Sequence, residues 1–125
     1  MEKPIDSAIV FVYNKDQTKV LMLNRVKKVG FDWGYVSGKV KEGKTPKDCA
    51  TKEIIEELRL KDFNLTQLKK IKHTKYGEIY FHHYFKIQID EKTKINFEPK
   101  EIQTVEWFDL HKLPASRALD NPKEI

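Results

Sequence analysis

The sequence predicts an α/β domain built on a mixed, largely antiparallel sheet. Three observations point to it. β-branched and aromatic runs lie on both sides of the chain's middle, one helical pattern occupies residues 45 to 58, and four of the five glycines fall just before that helix. The resulting order is strands, loop, helix, strands, which is the pattern of a helix packed on a sheet rather than of a helical bundle.

Each element has its own warrant. Ser7 to Tyr13 (SAIVFVY) is β-branched and aromatic throughout and reads as a buried strand. Asn14-Lys15-Asp16-Gln17 is a turn cluster. Lys19 to Arg25 (KVLMLNR) reads as a second strand, pairing with the first in a hairpin. Residues 26 to 44 hold Gly30, Gly34, Gly38 and Gly43 and read as a long, shaped loop, of the kind that carries function in a compact domain. Thr45 is a good N-cap, Pro46 suits the first helical position, and Asp48 favours the positive end of the helix dipole. The helical pattern runs to about Leu58. Leu65 to Lys75 and Ile79 to Ile89 read as strands joined near Tyr76-Gly77-Glu78, and Val105 to Phe108 as a further short strand. Asp109 to Ile125 reads as a helical turn, loop and last short helix.

Composition bounds the function. The 125 residues make one domain over 1–125, 39% hydrophobic and 34% charged. Fourteen aromatics spread along the chain exclude a disordered segment. No window approaches 18 apolar residues, so no membrane span is expected. The single cysteine, Cys49, excludes a disulfide scaffold. Lys and Arg exceed Asp and Glu by five, a balance that favours nucleotides, nucleic acid or another acidic partner but also serves solubility alone. With no signal-peptide pattern at MEKPIDSAIV, a cytoplasmic location is the expectation.

The helix carries the chemistry. At about 100° per residue, with Ala50 at zero, Ile54, Leu58 and Ile55 define an apolar stripe, and Glu53 and Glu57 fall at its edge with Glu56 beside them. Like charges one turn apart repel by a few tenths of a kcal/mol. Clustering them at a half-buried edge favours a cation between them, and hard divalent ions bind such oxygen clusters. The competing reading is an ordinary helix surface with Lys52 and Lys61 as partners. The glycine-rich segment before the helix favours the first reading, because glycine lets backbone groups approach an ion or phosphate closely.

Gly38-Lys39-Val40-Lys41-Glu42-Gly43-Lys44-Thr45-Pro46, continuing through Lys52-Glu53-Ile54-Ile55-Glu56-Glu57-Leu58-Arg59-Leu60, resembles the Nudix box. Gly38, the trio Glu53, Glu56 and Glu57, and the aliphatic Ile54 and Leu60 stand at the family's spacing. The first hairpin, Trp33-Gly34 and the stretch Glu101 to Leu110 resemble their counterparts as well. Lys44 stands where the family has Glu, Lys52 where it has Arg, and Arg59 where it has Gly, while Ser37 replaces a commonly paired glycine. Lys52 keeps a charge that can brace Glu56 but loses the planar fork of Arg. Arg59 must end the helix without glycine's easy left-handed geometry.

The resemblance implies a Nudix-type α/β/α sandwich and Mg²⁺-dependent, or Mn²⁺-dependent, hydrolysis of a nucleoside diphosphate linked to another moiety. Gly38, Glu53, Glu56, Glu57 and Glu101 would hold metal, with Glu98 the substitute for Glu101 if that loop shifts. Glu53, Glu56 and Glu101 are the candidates for catalysis, Glu53 or Glu101 being the base. Arg25, Lys39, Tyr76 and Asn121 are the candidates for substrate binding. Trp33 and Tyr35 could stack on a base, though packing is the expected role, as it is for His83 and Cys49. The substrate expected is a (d)NTP or modified NTP, or a dinucleoside polyphosphate. The alternative is a weakly active or inactive module binding nucleotide or RNA ends. No membrane partner is expected, and either a monomer or a homodimer is compatible.

Overall fold

The computed structural model describes residues 3–26, 33–116, 118 and 120–125. Seven strands form one sheet: β1 (Ile5–Tyr13), β2 (Lys19–Arg25), β3 (Trp33–Gly34), β4 (Val36–Lys39), β5 (Thr66–Lys75), β6 (Glu78–Gln88) and β7 (Ile102–Asp109). The helix α1 spans Pro46–Leu58. The main path of the sheet is β3-β2-β1-β6-β5, with β4 on β1 and β7 on β2. The β1–β6 pair is parallel and every other pair antiparallel.

One departure from expectation is functional in position. The glycine-rich segment contains two short strands, and β4 runs Val36 to Lys39 against Val10 to Ser7 of β1. The expected β1–β2 hairpin pairs only at Val12 and Tyr13, because β4 occupies the rest of that edge of β1. Backbone hydrogen bonds along β4 thus fix Gly38 opposite Ala8, directly beneath α1. The portion of the predicted loop at residues 27–32 lies outside the described residues.

The continuous apolar run of β1 follows from burial on both faces. Ala8, Val10 and Val12 point to a core shared with Ala50, Ile54 and Leu58 of α1. Phe11 and Tyr13 point the other way, to a core with Val20, Met22, Tyr35 and Tyr84. That second face carries no α-helix among the described residues. The C-terminal stretch covers it with Leu113, Ile125 and a 3₁₀ turn at Pro122–Glu124. Pro114 and Pro122 interrupt the helical pattern there, since proline removes a backbone donor. No helix among the described residues is long and apolar enough to cross a membrane.

Packing claims the side chains expected to pack. His83 is buried, with Nε2 2.7 Å from Asp6 Oδ1. Trp33 packs edge-to-face on Phe108 and Tyr35 on Phe11. Cys49 is a buried helix residue whose thiol is pushed up by burial.

Candidate active site

α1 begins with a capping box. Asp48 N–H donates to Thr45 Oγ1 at 3.1 Å, and Thr45 N–H donates to the Asp48 carboxylate at 3.2 Å. This pins the register of the helix and so the direction of every glutamate on it.

The three glutamates stand in graded environments. Glu57 is 1% exposed, Glu53 half-buried and Glu56 exposed. Here the structure corrects the stripe drawn from the sequence. Ile55, expected inside it, is 47% exposed, whereas Cys49, Ala50, Ile54, Glu57 and Leu58 are buried. Glu57 therefore lies near the middle of the buried arc rather than at its edge. The helix is rolled about its axis so that Glu57, not Ile55, joins Ile54 and Leu58 toward the sheet.

Burial pushes the Glu57 carboxyl up to about 8, the Arg25 guanidinium pulling against it and the neighbouring Glu53 adding to the rise. Arg25 Nη2 lies 2.7 Å from Glu57 Oε1 and donates to the Tyr35 carbonyl at 3.0 Å. The approach to Glu57 is close but outside hydrogen-bond alignment, so neither Glu57 oxygen accepts a hydrogen bond among the described residues. Arg25 is the cation that meets Oε1, while Oε2 is left without a hydrogen-bond partner among the described residues, a costly state for a buried carboxylate.

Glu53 lies over β4. A Cβ at Gly38 would sit 2.6 Å from Glu53 Oε1 and 2.7 Å from its Cδ and Cγ. Gly38 is thus required by close approach, not by a turn. Its backbone and the carboxylates of Glu53 and Glu57 make an all-oxygen donor set, the kind that hard divalent ions take. The orphaned Glu57 oxygens and the glycine cradle fit such an ion.

A cleft of about 910 Å³ opens beside Glu53 and Glu56, lined by Lys39, Lys41, Lys44, Lys47 and Lys52. Lys52 Nζ lies 3.7 Å from Glu56 Oε1, the i,i+4 brace expected of it. Lys41 and Lys47 were missed from the sequence. The signal was present, because lysines recur at 39, 41, 44, 47 and 52, but only the fold of β4 back along α1 brings them together.

Of the remaining candidates, Arg25 joins the glutamates and Tyr76 and Asn121 do not line the cleft. Arg25 is turned to Glu57 and the Tyr35 carbonyl, so its guanidinium is engaged as a counter-charge rather than free for a phosphate. Glu101 is exposed. Its carbonyl accepts from Val26 N–H at 3.0 Å, which places its loop beside the end of β2. Glu98 N–H donates to the Glu57 carbonyl at 3.1 Å while its carboxylate pairs with Arg59 at 3.0 Å, so that side chain is committed. Arg59 ends α1 in the left-handed region, φ 54°, with its N–H on the Ile55 carbonyl. Tyr76 sits at the tip of the β5–β6 hairpin, 91% exposed, and does not line the cleft. Asn121 caps the 3₁₀ turn, its side chain accepting from Lys123 N–H. It too lies outside the cleft.

Comparison with known proteins follows the same lines. The family model described as the NUDIX domain matches residues 3–125. The chain is 29% identical over 96 residues to the m7GpppN-mRNA hydrolase dcap-2 of Caenorhabditis elegans, covering 74% of this chain and 12% of that protein. It is 43% identical over 54 residues to the dihydroneopterin triphosphate diphosphatase of Haemophilus influenzae, covering 43% of this chain and 34% of that one. The chain thus aligns with about a third or less of the length of these curated relatives. Among solved structures, the MutT NUDIX hydrolase of Burkholderia pseudomallei superposes with a TM-score of 0.77 at 21% identity, over 96% of this chain and 94% of that one. That last likeness is one of fold, and the mixed seven-stranded sheet with α1 packed across β4 matches it. With the family model matched across nearly its whole length, the chain belongs to the Nudix family.

Proposed function

We propose that this chain hydrolyses a phosphoanhydride bond in a nucleoside diphosphate linked to another group, using Mg²⁺ or Mn²⁺. The observation that carries the reading is the buried Glu57 carboxylate, whose oxygens accept no aligned hydrogen bond among the described residues, beside Glu53, which lies over Gly38 and lines a cleft with five lysines. Glu53, Glu57 and the Gly38 carbonyl would hold the cation, with Glu56 assisting directly or through water. A divalent ion bound there supplies charge stabilisation to the phosphates and lowers the pKa of an attacking water.

The protein's own groups account for the rest. Glu53 or Glu101 accepts the proton of the attacking water. The water oxygen forms a new bond to phosphorus as the anhydride P–O bond breaks, and the leaving phosphate carries away the electron pair. Lys39, Lys41 and Lys44 neutralise the phosphate chain and hold it in line. Arg25 aims Glu57 and offsets part of the cost of its burial, a positioning role.

Lys52 is paired with Glu56, which leaves Lys39, Lys41, Lys44 and Lys47 in the cleft to meet a phosphate chain, beside the carboxylates of Asp48 and Glu53. This supports a substrate with three or more phosphates, a (d)NTP or modified NTP, or a dinucleoside polyphosphate. Relatives named for dihydroneopterin triphosphate and for capped mRNA are compatible with a polyphosphate chain as the shared element. The test is phosphate and pyrophosphate release from (d)NTPs, dinucleoside polyphosphates, ADP-ribose and capped RNA, with and without Mg²⁺. Turnover that needs the metal and is lost in Glu57→Gln supports the reading. Tight binding of nucleotide or RNA ends with no turnover on any of them would replace it by the binding-module alternative.

A further inference from the structure

A second cluster lies across the sheet from the glutamates. His73 on β5, His82 on β6 and Asp120 in the C-terminal stretch each offer one ligand atom within 4.8 Å of the other two. No pair of them has metal-ligand spacing in the sequence. The sheet register brings them together, since Ile71 pairs with His82 and His73 with Tyr80, which sets both imidazoles on one face. It is the face of Tyr84, in the core with Phe11 and Tyr13, opposite the face that packs on α1.

We propose that His73, His82 and Asp120 form a metal centre for a transition ion of the zinc class, which fastens the C-terminal stretch to the β5–β6 hairpin. Two imidazoles and a carboxylate suit zinc, cobalt or nickel, whereas Mg²⁺ demands oxygen ligands. The three side chains are half-buried, which limits competition from water. His73 Nε2 already lies 2.8 Å from Asp120 Oδ2, and the His73 and His82 rings stand 4.8 Å apart between centroids. Tetrahedral zinc with bonds of about 2.1 Å separates its ligand atoms by about 3.4 Å. The widest gap in the cluster thus needs closing by about 1.4 Å, within the reach of side-chain rotation.

The surroundings are those of a built site. The Tyr84 hydroxyl donates to Asp120 Oδ2 and lies 3.4 Å from His82 Nδ1. A hydroxyl that orients a ligating carboxylate is the second layer that metal sites use. The rival account is a metal-free hydrogen-bonded network of His73, Asp120 and Tyr84. It leaves His82 with no role beyond its contact with Tyr84.

Three protein ligands leave a fourth position for water or an external group. The consequence is mechanical. Asp120 precedes Asn121, which caps the turn at Pro122–Glu124, so a bound ion would anchor the segment that covers the second core. The proposal does not depend on the hydrolase reading, because the two sites share no residue and lie on opposite faces of the sheet.

Co²⁺ is the probe, added to the full chain in excess Mg²⁺ so that the all-oxygen site is occupied. The expected result is the intense visible band of tetrahedral cobalt at one ion per chain, displaced by Zn²⁺. It should persist in Glu53→Gln/Glu57→Gln, weaken about tenfold in affinity in Tyr84→Phe, and vanish in His82→Gln. His82 makes no hydrogen bond to Asp120, so this variant should keep its fold, which near-UV circular dichroism checks, and His73→Gln is the second variant. Only the faint band of octahedral cobalt in wild type, or a tetrahedral band that survives both histidine variants, would overturn the proposal.

Discussion

Replacing Glu57 by Gln should change the pH dependence of folding as well as turnover. The carboxyl is 1% exposed, and burial raises it from 4.5 in the unfolded chain to about 8 in the fold. The folded state therefore binds the proton more tightly than the unfolded state does. Stability from this group is complete below about pH 4.5 and is lost as pH rises through about 8. A rise of this size corresponds to roughly 5 kcal/mol at the alkaline end, the Arg25 charge already included, and water entering the site reduces it in practice. Metal-free wild type should thus lose stability across that window. Glu57→Gln keeps the volume and removes the titration, so its profile should be flatter, and at pH 8 the variant should be the more stable protein. His82, held low, acts in the opposite sense over part of the window. The difference between the two proteins isolates Glu57. Mg²⁺ should restore wild type by selecting the charged form and should do nothing for the variant. Turnover on the substrate found by the screen should fall by at least about a hundredfold. The assay is chemical denaturation at half-unit pH steps with chelator and with Mg²⁺, beside kcat. Parallel pH profiles for the two proteins would show that Arg25 fully offsets the burial of Glu57. Retained turnover would sink its role in the reaction.

Three further outcomes follow. Gly38→Ala places a methyl 2.6 Å from Glu53 Oε1, and Glu53 can swing toward solvent, so stability should fall by only about 1 kcal/mol while the Mg²⁺ requirement rises at least about tenfold. Equal metal response in that variant, read by thermal shift, would mean that Glu53 does not need its place over Gly38. Lys44→Glu reverses a charge in the lysine-lined cleft and should raise KM about tenfold with a smaller change in kcat. A fall in KM would show that Lys44 weakens the site rather than serving the substrate. Arg59→Gly removes a left-handed non-glycine cap that costs about 1–2 kcal/mol, and loses a half-exposed ion pair to Glu98 worth at most about 1 kcal/mol. Denaturant unfolding should therefore find it up to about 1 kcal/mol more stable, and a clear loss of stability would mean that the Arg59–Glu98 pair outweighs the strain.

What the sequence determined by itself is local. Thr45, Pro46 and Asp48 marked the start of α1 because capping involves residues three apart, and the run SAIVFVY announced a buried strand. The box from Gly38 to Leu60 was legible because its spacing is that of one strand, one turn and one helix. The roll of α1 was not legible. Ile55 and Glu57 flank Ile54 on opposite sides, about 160° apart round the helix, and only the strands beneath decide that Glu57 goes in and Ile55 out. The five-lysine cleft also needed the fold, since β4 has to pair with β1 before Lys39 and Lys41 can face Lys47 and Lys52. The His73, His82 and Asp120 cluster is the furthest from sequence, Asp120 standing 47 positions after His73. Strand register joins the first two and the path of the C-terminal stretch supplies the third. Helical period and caps act over one or two turns, but register and docking are settled by burial summed over the whole sheet, and no window of the sequence contains that sum.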